Sequence, residues 1–246
     1  MEWHDSGYVL TTRRHGENAL IVDLLTREHG RHAGLVRGGQ SPRRRALLQP
    51  GNLVAAAWRG RLPEHLGSLD CELLAAHAAL FLNDPDRLTA LSAAAALIAV
   101  ALPEHEPHAD IYAAFGMLIE AFDSRPGWLR NYVEWECGLL AALGFGLDLT
   151  RCAATGIAED LAYVSPRTGR AVSREAGAPY RDKLLLLPDF LWRDAEAGPA
   201  DIALGLTLTG YFLHHHVLGP QGRTVPEARE RLYDRMQRAG AAGKIG

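Results

Sequence analysis

Ala19-Leu20-Ile21-Val22-Asp23-Leu24-Leu25-Thr26, then Arg27-Glu28-His29-Gly30, then Arg31-His32-Ala33-Gly34-Leu35-Val36, reads as strand, turn and returning strand. The first arm is apolar with β-branched residues, and Gly30 supplies the turn. Upstream, Tyr8-Val9-Leu10-Thr11-Thr12 is β-rich. Downstream, Leu53–Trp58 is a fourth strand and Leu62–Leu73 a weaker fifth. Between the third and fourth lies Arg37-Gly38-Gly39-Gln40-Ser41-Pro42-Arg43-Arg44-Arg45, bounded by Gly38-Gly39 and Pro50-Gly51 and read as a loop.

Residues 6–72 therefore read as five short strands separated by turns. That pattern suits a small barrel such as the OB-fold. After residue 73 the apolar spacing becomes helical. Leu73–Leu82, Pro85–Leu102, Ala109–Phe122, Trp128–Leu143, Ile202–Val217 and Pro226–Ala239 are the expected helices, with Asn83 or Asp84 capping before Pro85. Residues 147–198 are rich in Gly, Pro and Arg and read as an irregular insertion. The expected class is α+β and multidomain: a five-stranded OB-fold β-barrel at 1–73, then a helical-bundle domain at 74–246 carrying that insertion.

Charge is segregated along the 246 residues. Residues 1–62 hold ten Arg and five Asp or Glu, a local +5, so the chain's net −3 leaves −8 for residues 63–246. A basic, strand-rich front on an acidic, helix-rich body points to a nucleic-acid-binding module attached to something else. Lys183 and Lys244 are the only lysines, and Arg forks onto phosphate as Lys cannot. Arg43, Arg44 and Arg45 are uninterrupted by any acid. They and Arg37 are the primary candidates to track phosphates, with Arg13, Arg14 and Arg31 as secondary contacts. Tyr8, Trp3 and Trp58 are candidate stacking partners, Trp58 equally a core residue.

Other chemistry is absent or weak. No phosphate-binding loop follows a strand, and Gly240–Lys244 lies in a tail. His105-Glu106-Pro107-His108 is interrupted by proline, and His214-His215-His216 are consecutive, so neither chelates readily. Asp84 and Asp86 read as a helix cap and Glu159-Asp160 as a solvated turn rather than as nuclease carboxylates. The three cysteines, Cys71, Cys137 and Cys152, are far apart. Cys71 and Cys137 sit in apolar patterns as packing residues. An odd, scattered set fits a reducing cytoplasm. The longest apolar run, Ala93–Leu102, is too short to span a bilayer, and the N-terminus has no secretory pattern. The reading is a non-enzymatic nucleic-acid-binding protein without membrane contact. Two alternatives stay open: a metal-dependent nucleic-acid-processing enzyme, and a protein adaptor without DNA binding.

Gly7-Tyr8-Val9-Leu10, Gly16–Val22, Leu25–Gly30, Leu35–Gly39, Leu48–Gly51, Gly144–Leu149 leading to Cys152, and Pro226-Glu227-Ala228-Arg229 together resemble the RecO family of bacterial DNA repair and recombination mediators. The likeness runs in order over nearly the whole chain. It implies an N-terminal OB-fold and a helical domain. It also implies binding of single- and double-stranded DNA, annealing of complementary strands, and a cytoplasmic, nucleoid-associated place. The implied protein partners are RecR, the acidic tail of the single-stranded-DNA-binding protein, and indirectly RecA. For the tail, Arg130, Arg125 and Arg223 are candidate cations. Many members carry two Cys-x-x-Cys pairs that bind zinc. Here Cys152-Ala153-Ala154-Thr155 keeps one cysteine and residues 169–176 none. No structural zinc or other cofactor is expected, and 148–180 is expected to be held by packing around Tyr163, Val164 and Tyr180.

Overall fold

The structure is a computed structural model that describes residues 1–62, 65–124 and 127–242. The N-terminal strands are β1 (Glu2–His15), β2 (Ala19–Thr26) and β3 (Gly30–Val36). A short helix α1 (Pro42–Leu47) follows, then β4 (Leu53–Arg59) and β5 (Gly67–Ala75). The five strands close into a barrel in the order β1-β2-β3-β5-β4. Neighbours are antiparallel except β3 and β5, which meet in parallel at Gly34 and Gly67. This is the five-stranded OB architecture expected from the sequence. Alternating residues fill the barrel: Val22, Leu24, Val54, Ala56, Trp58 and Leu69 are all buried.

Gly34 and Gly67 make the closure sterically feasible. A Cβ on Gly34 would lie 2.6 Å from the Leu69 Cβ, and one on Gly67 would lie 2.4 Å from Trp58 Cε2. Only glycine lets the two strands approach around that indole.

Two local expectations change. The expected helix over Leu73–Leu82 is replaced by the end of β5, with Leu73 opposite Val54 and Ala75 opposite Leu53, and only α2 (His77–Leu80) is helical. Strand pairing overrides the helical preference of an Ala/Leu-rich segment. The arginine stretch is part helix, because Pro42 occupies the first turn after Ser41.

Then come α3 (Pro85–Ala101) and α4 (Ala109–Ser124). Asp84 caps α3 by accepting from the Arg87 N–H at 3.1 Å. Tyr8 of β1 packs against Tyr112 and Phe115 of α4. Residues Met1–Asp123 with Pro226–Arg229 form one compact unit; the rest of the chain forms a second.

The second unit contains α5 (Trp128–Ala142), β6 (Leu161–Val164), β7 (Ala171–Ser173) and α6 (Arg174–Gly177). It also contains β8 (Leu185–Leu186), α7 (Pro199–Phe212) and most of α8 (Glu227–Ala242). Helices α5 and α7 pack together, and the buried Glu136 of α5 accepts a hydrogen bond from the Thr209 hydroxyl of α7. The segment read as irregular holds a three-stranded sheet in the order β7-β6-β8. Leu161, Val164 and Ala171 form its buried side, whereas Tyr180 is exposed and takes no part in that packing. No described helix is long and apolar enough to cross a membrane.

Candidate nucleic-acid interface

Helix α1 rotates successive side chains by about 100°, so three consecutive arginines cannot share one face. Arg43 and Arg45 are exposed, while Arg44 turns toward β5. Its Nη1 donates to Asp70 Oδ1 and to the Cys71 carbonyl, both at 3.0 Å. The C-terminal end of α1 is held by Asn52, a buried residue the sequence reading did not single out. Asn52 Nδ2 donates to the carbonyls of Ala46 (3.1 Å) and Leu47 (2.9 Å), and its Oδ1 accepts from Ala78 N–H (3.0 Å). An Asn directly after Pro50-Gly51 was the available signal, since such residues bridge neighbouring backbone.

The other arginines group by strand direction. Arg13 and Arg14 lie near the end of β1, opposite Ile21 and Leu20. Arg14 and Arg45 line one cleft of about 200 Å³ with Leu20 and Gln49. Gln40 Nε2 donates to the carbonyls of Gly16 (3.0 Å) and Ala19 (3.1 Å). That bond ties the segment carrying Arg37 to the tip of the β1–β2 hairpin. The structure thus gathers Arg13, Arg14, Arg37, Arg43 and Arg45 at one end of the barrel, all exposed. Beside α1 runs a groove of about 1110 Å³ lined by Arg43, Arg44, Leu47, Leu73, Ala79 and Leu82.

Arg31 lies elsewhere. It begins β3 while Arg37 follows its end, a separation of about 20 Å along an extended chain. Arg31 pairs with Asp23 at 2.7 Å and Glu104 at 2.9 Å, and its side chain is 12% exposed. Burial raises the Asp23 carboxyl to about 6 against the opposing pull of Arg31.

The aromatic candidates divide as well. Tyr8 and Trp58 are buried in the core, and burial raises the Tyr8 hydroxyl to about 12. Trp3 is half-buried, stacked on His29 (4.4 Å between ring centroids) and on Trp58 (5.9 Å). In the second unit, Arg130 pairs with Glu134 and Asp194 beside Glu196. Arg223 follows a tight turn, its N–H bonded to the Leu218 carbonyl. Arg125 lies outside the described residues.

The residues around Cys152 do not fit a zinc ion. Its Sγ accepts from Ser173 N–H at 3.2 Å. Burial would raise this thiol, but hydrogen bonds from Ser173 and Thr155 outweigh it and bring it down to about 6. The side chains at the neighbouring positions are a serine and a threonine, poor partners for a tetrahedral thiolate site. Among the described residues, no group of three or more His, Cys, Asp or Glu is placed to hold a metal. Asp160 of the Glu159-Asp160 pair is engaged with Arg174 at 3.1 Å.

The family models "Recombination protein O N terminal" and "Recombination protein O C terminal" match residues 1–76 and 82–224. The chain is 54% identical to the DNA repair protein RecO of Rhodospirillum rubrum, covering 99% of this chain and 100% of that protein. It is 54% identical to that of Rhodospirillum centenum, covering 97% and 96%. With that of Phenylobacterium zucineum it shares 50%, covering 98% and 99%. An OB barrel with a basic end, two matched domain models and relatives aligned from end to end establish that the chain belongs to the RecO family of DNA repair proteins.

Proposed function

We propose that this chain is a recombination mediator that binds single- and double-stranded DNA and anneals complementary strands without making or breaking covalent bonds. The observation that carries the reading is the grouping of Arg13, Arg14, Arg37, Arg43 and Arg45 at one end of an OB barrel. In this reading residues 1–73 are the DNA-binding domain. Residues 74–246, with the insertion at 147–198, meet protein partners. Those partners are RecR and the acidic tail of the single-stranded-DNA-binding protein, and through them RecA is helped onto coated strands. The work belongs to the cytoplasm and its nucleoid.

The physical task is modest. Two phosphate backbones repel, and cations that neutralise both let base pairing proceed. Exposed arginines on a short helix and near a hairpin tip supply those cations. Phosphate contacts carry no base information, so sequence preference is slight. Arg44 and Arg31, held by Asp70 and by Asp23 with Glu104, serve mainly to position the elements that bear the others.

The test is fluorescence anisotropy of a mixed-sequence single-stranded oligonucleotide at several salt concentrations. Four to six neutralised phosphates give a slope of log K against log salt of roughly −3 to −4. Absence of binding at low salt would overturn the reading. Cleavage of the probe with added magnesium would replace it by the nuclease alternative.

A further inference from the structure

Helix α7 does not end at Phe212. It runs on into a π-helical turn, Leu213–Leu218, which carries His214, His215 and His216. Such turns widen the helix and reorient the side chains they bear. His215 stacks on Tyr211, with ring centroids 4.1 Å apart and planes inclined by 21°. The pair is locked, because His215 Nδ1 lies 2.9 Å from the Tyr211 carbonyl. His216 stacks on Phe212 at 5.3 Å and lies 6.0 Å from the half-exposed Phe145. His214 and His215 are exposed and Tyr211 is half-buried. The Tyr211–His215 stack is therefore held in place with His215 open to solvent, while Phe212 is buried beneath it.

A cation lies in the turn that His216 touches. His216 Nε2 lies 3.0 Å from the Pro166 carbonyl, in the turn between β6 and β7. The next residue, Arg167, is exposed and has no hydrogen bond or ion pair among the described residues. Arg170 at the end of the same turn pairs with Asp148 at 3.6 Å, which neutralises that carboxylate. A partly exposed ring stack next to a turn that carries an unengaged guanidinium matches a nucleotide: a base has a π-face and its phosphate a negative charge. An apolar or acidic peptide would use one half of the patch only.

We propose that Tyr211, His215 and Arg167 form a second contact for single-stranded DNA, separate from the barrel arginines. A base extends the Tyr211–His215 stack and its phosphate meets Arg167. This rests on the annealing reading, because a protein that pairs two strands gains from two places to hold them.

The experiment uses the full chain and a single-stranded oligonucleotide bearing 5-iodouracil, cross-linked by light and mapped by mass spectrometry. It is joined to annealing rates for Tyr211→Ala with His215→Ala, for Arg167→Ala, and for Tyr211→Phe. Cross-links at residues 145–217 are expected. Annealing should slow by about tenfold in the double variant, with unchanged melting temperature and with activity retained in Tyr211→Phe. Cross-links confined to the barrel, or wild-type annealing by the double variant, would overturn this second contact and leave the mediator reading standing. Absence of DNA binding anywhere on the protein would overturn both.

Discussion

Arg44 and Asp70 are joined across the barrel surface, with Arg44 Nη1 3.0 Å from Asp70 Oδ1. The middle arginine of the triplet is therefore a clasp between α1 and β5, while its neighbours point outward. Arg43→Ala and Arg45→Ala should each reduce the magnitude of the salt slope for single-stranded DNA by about 0.7, the value for one lost phosphate contact. Arg44→Ala should leave that slope nearly unchanged. Asp70→Asn should steepen it by releasing Arg44. Anisotropy titrations at four salt concentrations would separate these outcomes.

Arg31 is expected to matter for stability rather than for DNA. Arg31→Met leaves Asp23 and Glu104 without their cation, and the Asp23 side chain is only 14% exposed. The loss should be about 2–3 kcal/mol in urea unfolding, with an unaltered salt slope for DNA. A slope reduced by one contact at normal stability would show the opposite.

His32 is 4% exposed, set against Trp3, Trp58 and His105, and both ring nitrogens lack a hydrogen bond among the described residues. Burial, helped by His105 and His29, lowers it from 6.5 to about 4. Between those values the unfolded chain binds the proton and the native state does not, so stability falls as pH drops through this window. Asp23, raised from 3.8 to about 6, acts in the opposite direction: the native state holds that proton, and stability rises as pH falls. His32→Phe should remove the first effect, leaving a variant up to about 3 kcal/mol less sensitive to acid. Urea midpoints of both proteins at pH 6.5 and pH 4.5 would read it.

Closure of the barrel depends on Gly34. Its missing Cβ would stand 2.6 Å from the Leu69 Cβ, with little room to shift at the β3–β5 pairing. Gly34→Ala should destabilise the protein by about 2–3 kcal/mol, more than a surface substitution. Near-native thermal stability would mean that β5 can move aside.

Cys152 Sγ accepts the buried Ser173 N–H at 3.2 Å, and hydrogen bonds from Ser173 and Thr155 bring the thiol down to about 6. A strong chelator should leave the melting temperature unchanged. Cys152→Ala should lower stability by about 1–2 kcal/mol, because the Ser173 N–H is buried and loses its acceptor. A chelator-induced fall in melting temperature would contradict this account.

Much of the molecule was legible in one dimension. The apolar, β-branched run at 19–26, the turn at Gly30 and the returning arm at 31–36 specify a hairpin through local sterics and burial alone. Asp84 and Pro85 mark the start of α3 for equally local reasons. Segregated charge located the basic module, since counting needs no coordinates. The run Leu73–Leu82 was misread because its propensity favours helix, while its partner in β4 lies about twenty residues away in sequence. The sheet in 147–198 was hidden in the same way, its strands being only two to four residues long.

What the sequence by itself determined is most of the local conformations, the family and the excess of arginine at the front. Which arginines are available was decided by tertiary structure. Arg43, Arg44 and Arg45 are chemically alike, yet Arg44 meets Asp70 of β5 and the other two meet solvent. Arg31 and Arg37 are six residues apart and end on opposite rims of a barrel, one paired with Glu104 and the other exposed. The energy of a charged side chain depends on what stands within a few ångströms of it, and those neighbours come from distant parts of the chain.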